Sequence, residues 1–325
     1  MSIVETPNRP TISDVLFESR LRDFSTLAHL PSNIDSIELA LLFATGRQRR
    51  AALIGPSGWG KSHILEAVLS RLEKDGVRAD ITRAIDWLSP QSRSELSEVL
   101  IVDDLQDVLE GQKMRQQLRF ALERRVRAGK PTLLSLTSTR SVRHLRNFLP
   151  YPKDWAIGYV PEATENERIV VLEHMARTEG LTVDPTLIRL LAARLHRNGR
   201  TLIGALLRLK LSGNFWVGEE AILRGLATLE MFFPEGEDAE LRNAIVWAAQ
   251  SQDFRKSGLD ATELAIYGML RCASIPENAV ARYFDLEPAS CFYIANKIEK
   301  VVSQPAGATL RSMFISKVVA RLSYD

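Results

Sequence analysis

Residues Ala51-Ala52-Leu53-Ile54-Gly55-Pro56-Ser57-Gly58-Trp59-Gly60-Lys61-Ser62-His63-Ile64-Leu65 constrain this chain more than any other stretch. Four apolar residues lead into a glycine-rich turn. Apolar residues then recur at helical spacing (Ile64, Leu65, Val68, Leu69, Leu72), which predicts a buried strand, a turn and a helix. Gly55 and Gly60-Lys61-Ser62 fit the spacing G-x-x-x-x-G-K-[ST]. Glycines let successive backbone N–H groups curl into an anion nest, the helix adds its positive N-terminal end, and the lysine adds a point charge. Such a turn is built to hold the phosphates of a nucleotide triphosphate. Its candidate cradle is Gly55, Pro56, Ser57, Gly58, Trp59, Gly60, Lys61, Ser62 and His63, with Lys61 at the β- and γ-phosphates and the Ser62 hydroxyl as a ligand of Mg2+. A solvated strand-to-helix turn uses the same residue types, but the flanking strand and helix are the setting the motif requires. Trp59 reads as a variable loop position that shields the site.

A second stretch completes the chemistry. Glu98-Val99-Leu100-Ile101-Val102-Asp103-Asp104 is an apolar strand running into two acids, so a buried parallel strand would present carboxylates at the sheet edge beside the phosphate loop. Asp103 would hold Mg2+ through water, and Asp104 would orient or deprotonate the attacking water. Thr132 to Arg140 reads as a further buried strand ending in hydroxyls, able to reach the γ-phosphate or its water. Val77 to Ile81 and Ala156 to Val160 supply two more strands, and Ile34 to Ala44 a helix just upstream of the loop, where a base could be gripped. Strands alternating with helices imply an α/β fold with a parallel sheet covered on both faces.

With 325 residues, 45% of them hydrophobic, the chain can bury a sizeable core in two or three units. No apolar run of about eighteen residues exists, and Met1 to Pro10 lacks the apolar segment of a signal peptide, so no membrane partner and a cytoplasmic location, open to nucleoid association, are expected. Cys272 and Cys291 show neither metal-ligand nor disulfide spacing and read as packing residues. A net charge of only +2 hides strong unevenness. Lys113, Arg115, Arg119, Arg124, Arg125, Arg127, Lys130, Arg140, Arg143, Arg146 and Lys153 face Glu123 alone, and Arg189, Arg194, Arg197, Arg200, Arg208 and Lys210 occupy an acid-free stretch. These runs are either an electrostatic footprint for nucleic acid or solvated helix faces.

Residues 1–20 read as a flexible arm. Lys113 to Ala128 reads as a basic helix. From Pro161 the pattern becomes helices only: Thr164-Glu165-Asn166-Glu167 is a capping box opening a helix through Met175, followed by helices over Pro185 to His196, Thr201 to Leu211 and Glu219 to Leu229. They form a lid (164–233) whose Arg200 could fold over the nucleotide. Phe233 to Asp238 then links to helices near 241–249, 261–272, 276–284, 288–302 and 310–322.

Taken together, Gly-Pro-Ser-Gly-Trp-Gly-Lys-Ser-His, Leu100-Ile101-Val102-Asp103-Asp104-Leu105-Gln106, Leu136-Thr137-Ser138-Thr139-Arg140 and Gly199-Arg200-Thr201-Leu202-Ile203-Gly204-Ala205-Leu206 resemble the bacterial replication initiator family of DnaA and its shorter relative Hda, within the AAA+ ATPases. The match in order and spacing covers roughly residues 20–230. The resemblance implies a P-loop AAA+ αβα sandwich over 21–163, a helical lid over 164–233, bound ATP and Mg2+, a sensor 1 at Ser138 and a sensor 2 at Arg200. Residues 261–300 are similar to the DnaA helix-turn-helix domain, which makes 237–325 a C-terminal all-helical domain.

The chain departs from that family in three places. Leu286-Glu287-Pro288-Ala289-Ser290 stands where the family's recognition helix carries Arg-Asp-His-Thr-Thr. Tyr151-Pro152-Lys153 replaces the run that supplies an arginine finger in trans, worth about 10³–10⁵ in rate in related phosphoryl transfer, so slow ATP hydrolysis is expected unless Arg140, Arg143 or Arg146 substitutes. Thr82 to Ser97 is too short for the extra helices of DnaA, as in Hda, and no counterpart of the N-terminal helicase-recruiting domain of DnaA is expected. The expected function is an initiator, regulator or accessory factor of replication initiation, in contact with DNA, an initiator, or both, and able to form nucleotide-dependent oligomers. Alternatives are a helicase loader or mobile-element protein on single-stranded DNA, and an ATP-gated transcription regulator. Phe292, Tyr293 and Ile294 would suit an apolar protein partner equally well.

Overall fold

A computed structural model describes residues 22–323 except 93, 138–147, 197 and 234–237. The chain divides into two compact units, Met1–Glu162 and Ala163–Asp325.

The first unit is built on strands β1 (Arg50–Gly55), β2 (Ala79–Arg83), β3 (Val99–Asp103), β4 (Thr132–Thr137) and β5 (Ala156–Tyr159). They form one parallel sheet in the order β2-β3-β4-β1-β5. Successive side chains of a strand point to opposite faces, and both faces are dry here. Ala51 and Leu53 join Ile37 and Phe43 of helix α1 (Ile34–Ala44) and Leu65 and Val68 of α2 (Lys61–Lys74) in one cluster. Ala52 and Ile54 join Leu100, Leu134 and, after the short helices α3 (Ala84–Trp87) and α4 (Gln106–Leu109), Leu118 and Leu122 of α5 (Gln112–Arg127) in the other. This is the expected αβα sandwich.

Strand β2 lies two residues later than its apolar run suggests. The helix α2 cap uses the missing ones: Gly76 takes a φ of 73°, and the Val77 N–H donates to the Leu72 carbonyl at 2.9 Å. Arg125, counted above with the basic run, is not a surface charge. It is 3% exposed, its guanidinium enclosed by the Thr132 hydroxyl and the carbonyls of Ser97, Glu98 and Pro131. It staples α5 to the starts of β3 and β4 and contributes nothing to a basic face.

In the second unit, α6 (Glu165–Glu179), α7 (Pro185–Arg194), α8 (Gly199–Ser212) and α9 (Glu219–Leu229) match the predicted lid helices. Helices alone do not describe it. Thr182–Val183 (β6) and Phe215–Trp216 (β7) pair in parallel where the chain leaves α6 and α8. Two residues are too few to show a period in sequence. The capping box forms as expected: Thr164 Oγ1 accepts from the Glu167 N–H at 3.3 Å, and Glu167 Oε2 accepts from the Thr164 N–H at 2.9 Å. Thr164→Ala is expected to cost about 1 kcal/mol, seen as a fall of about 2–4 °C in thermal midpoint.

The same unit continues through α10 (Asp238–Ala249), α11 (Gln252–Arg255), α12 (Ala261–Tyr267), α13 (Glu277–Phe284), α14 (Pro288–Val302) and α15 (Pro305–Ser323). The single helix predicted over 261–272 changes to a π-helical turn at Gly268–Cys272, where a Cβ on Gly268 would stand 2.5 Å from the Phe314 ring. Cys272 and Cys291 are buried free thiols, as packing residues should be, and burial pushes the Cys272 thiol up to about 12. Polar ties cross from the lid helices to the later ones: Arg194 to Glu240 at 2.7 Å, Arg311 to Glu220 at 2.9 Å, Ser316 to Glu219 at 2.6 Å, and Arg242 to Glu230. Lid and C-terminal helices both fall within the compact unit Ala163–Asp325. No helix among the described residues is long and apolar enough to cross a membrane.

Candidate functional site

The glycine-rich turn leaves the sheet at Gly55, and only glycine fits there. A Cβ would lie 1.9 Å from the Val160 carbonyl oxygen, because Val160 donates its N–H to the Ile54 carbonyl at 2.8 Å just beyond β5. Gly58 and Gly60 take φ values of 83° and 96°, the left-handed conformation that curls the loop back toward its own N–H groups. Pro56 is buried and Ser57 exposed. Gly60 then caps α2, its carbonyl accepting from the Ile64 N–H at 2.9 Å.

Lys61 is the first residue of α2 and is 5% exposed. Its ammonium donates to the Gly55 and Pro56 carbonyls at 2.9 and 2.7 Å, which stretches the side chain back along the loop it would serve. Ser62 follows in the first helical turn. Trp59, which reads in sequence as a shielding loop position, packs its ring against the apolar cluster of α1 and α2, with a buried indole N–H that has no hydrogen-bond partner among the described residues. The His63 ring turns to the segment before α1, with Nε2 2.9 Å from Thr26 Oγ1. Arg22 to Glu66 at 2.6 Å and Lys74 to Asp23 at 3.1 Å hold the same segment on α2. Hydrogen bonds from the Ser25 and Lys74 side chains lower the Asp23 carboxyl to about 2.

Asp103 ends β3 and Asp104 lies outside it at a φ of 58°, in left-handed space that few non-glycine residues enter. One carboxylate oxygen of Asp103 accepts from the buried Ser135 hydroxyl on β4 and from the Asp104 N–H at 3.0 Å. The Asp104 carboxylate accepts from Gln106 Nε2 at 2.7 Å and stands 4.0 Å from Arg83, which is itself paired with Asp107 at 2.7 Å. Sequence reasoning missed Ser135, Gln106 and Arg83. A signal existed for the first, a lone hydroxyl inside the apolar run Leu133 to Leu136, while Gln106 was legible only as part of the Asp-Asp-Leu-Gln run.

The strand order brings these groups together. β4 alone separates β1 from β3, so the phosphate loop and the carboxylates emerge from the same sheet end roughly 10 Å apart. A lysine, a hydroxyl and a carboxylate at that spacing suit a triphosphate with a hard divalent cation, which prefers oxygen ligands. Among the described residues no group of three or more His, Cys, Asp or Glu forms a protein-only metal cage. Ser138, Arg140, Arg143 and Arg146 lie outside the described residues. Arg200 is exposed as the second residue of α8, in the helical unit, after the Asn198 side chain that caps that helix.

The basic helix α5 exposes Lys113, Arg119, Arg124 and Arg127, with Phe120 62% exposed among them. Arg119 is paired with Glu123 at 3.3 Å. In the helical unit Tyr293 and Phe292 of α14 are 72% and 48% exposed, and the Arg271 guanidinium stands 5.0 Å over the Phe292 ring.

No protein-family model matches the chain. Solved structures do. Domain III of the Thermotoga maritima replication initiation protein DnaA superposes with a TM-score of 0.54 at 17% identity over 65% of this chain and 97% of that one. AMPPCP-bound DnaA from Aquifex aeolicus gives 0.54 at 15% identity, over 93% and 98%. A replication initiator DnaA bound to AMPPCP and single-stranded DNA gives 0.52 at 16% identity, over 93% and 99%. At these identities the likeness is one of fold, and the chain has the AAA+ fold of DnaA.

Proposed function

We propose, for a chain with the DnaA-type AAA+ fold, that it binds Mg-ATP at the Gly55–Ser62 loop and acts in DNA replication initiation as an initiator, a regulator or an accessory factor. One observation carries the reading. The loop that ends β1 and the paired acids that end β3 leave the same sheet end, with β4 between them. In this reading the chain's own groups divide the work: Lys61 and the loop N–H groups hold phosphate oxygens, Ser62 and Asp103 hold Mg2+, Asp104 orients or deprotonates water, and Ser138 and Arg200 report the γ-phosphate. Bound Mg2+ would spread the charge that develops on the transferred phosphoryl group. Support comes from the two DnaA structures that share this fold and hold AMPPCP. With Tyr151-Pro152-Lys153 in place of an arginine finger, hydrolysis is slow and ATP acts chiefly as a conformational ligand. Calorimetry with Mg-ATP tests the reading, and no heat on titration would overturn it. Light scattering with ATP and with ADP, with and without DNA, then separates a nucleotide-dependent oligomer from a monomer.

A second reading, a helicase loader or mobile-element protein on single-stranded DNA, is favoured by α5. Lys113, Phe120, Arg124 and Arg127 recur at helical spacing on its exposed side, a stripe of cations around one aromatic ring of the kind that tracks a single strand. Neutralising three phosphates predicts a slope of about −2 in log affinity against log salt. Arg124→Glu with Arg127→Glu would flatten it, and a binding isotherm indifferent to salt would remove this reading.

A further inference from the structure

We propose that Gln106 is a positioning residue that fixes the Asp104 carboxylate and ties it to the end of β4. The proposal rests on the reading of Asp104 as the group that handles the attacking water.

Asp104 has left β3, so no strand ladder holds it. Its backbone is pinned by its own N–H, which reaches Asp103 Oδ1 at 3.0 Å and Ser135 Oγ at 3.2 Å. That leaves the carboxylate to be aimed by what it touches. Arg83 is 4.0 Å away, with its guanidinium committed to Asp107 and a side chain 59% exposed, so water screens it. Gln106 Nε2 donates at 2.7 Å, a charge-assisted bond. The other end of that amide is equally engaged, its Oε1 accepting from the Thr137 N–H at 2.9 Å.

Thr137 explains why the bridge exists. β3 pairs with β4 only as far as Val102↔Leu134, so toward its C-terminal end β4 runs past the partner that would take its N–H groups on that side. The Gln106 side chain replaces the missing strand there. On its other side Thr137 is in register with Gly55, the residue that opens the phosphate loop. One amide therefore links the carboxylate to the strand that abuts the loop. The amide donates at one end and accepts at the other; an ionised glutamate keeps the acceptor and loses the donor, and alanine loses both.

The experiment uses the full chain as wild type, Gln106→Ala and Gln106→Glu. Three quantities are measured: Mg-AMPPCP affinity by calorimetry, single-turnover ATP hydrolysis, and hydrogen exchange of peptides covering Thr137. Both variants should keep wild-type affinity, because neither touches the loop, and should hydrolyse ATP about tenfold to a hundredfold more slowly, the cost of misplacing a reacting group. Exchange at Thr137 should rise about tenfold or more in Gln106→Ala and stay at the wild-type rate in Gln106→Glu, which retains the acceptor. A merely structural glutamine would leave Gln106→Glu as active as wild type, and that result overturns the proposal. So does a wild-type Thr137 amide that exchanges without protection, or a wild type that binds Mg-AMPPCP and hydrolyses no ATP; either leaves nucleotide binding itself standing. Absence of AMPPCP binding to the wild type removes the parent reading instead.

Discussion

Lys61→Ala is expected to weaken Mg-ATP binding by at least about a hundredfold while the protein stays folded. The ammonium is 5% exposed and already drawn over the loop by the Gly55 and Pro56 carbonyls at 2.9 and 2.7 Å, so its position is set before any phosphate arrives. A hydrogen bond to a charged group contributes about 1.5–3 kcal/mol, and two such bonds to phosphate oxygens correspond to about two to four decades of affinity. Helical propensity does not oppose the change, since alanine is the best helix former. Calorimetry on wild type and variant at equal concentration measures the difference. An undiminished affinity would mean that phosphates do not sit on this turn.

Gly55→Ala is expected to be the most destabilising single methyl in the first unit. The added carbon would sit 1.9 Å from the Val160 carbonyl oxygen and 2.9 Å from its carbon, both backbone atoms that cannot rotate away. β1 and β5 would have to part where the Val160 N–H meets Ile54 at 2.8 Å. Overpacking of this kind costs about 3 kcal/mol or more, a fall of about 6–12 °C in the thermal midpoint of a unit of this size. Gly46→Ala is the comparison: its φ of 73° carries strain but no atom lies within 4 Å, so only about 1–2 kcal/mol is at stake. Equal midpoints for the two variants would show that the close approach at Val160 does not hold in solution.

How much of this was legible in sequence depended on the length of the signal. Strands β1, β3 and β4 are buried on both faces, so each appears as a mainly apolar run, interrupted in β4 by Ser135, and the sequence places each within a residue or two at its described end. β2 is exposed or half-buried throughout, and its start was lost to the cap of α2. The pair β6–β7 is too short to carry a pattern. Charge runs were the least reliable guide, because sequence lists charges without faces: Arg125 lies in the densest of them and is buried under four main-chain and side-chain oxygens. At the site, motif positions were legible because phosphate chemistry fixes their spacing. The residues that aim them were not. Ser135 and Gln106 are ordinary polar side chains until the order of the strands sets them beside Asp103 and Asp104.

The polar ties between α9 and α15 make any transplant of the C-terminal helices a matter of two surfaces. Glu219 and Glu220 on one helix answer Ser316 and Arg311 on the other, and Arg194 answers Glu240. A hybrid spliced within 234–237 would carry Arg311 and Ser316 away from Glu220 and Glu219, and Glu240 away from Arg194. Grafting these helices onto another core of this fold therefore calls for moving residues 163–323 as a block.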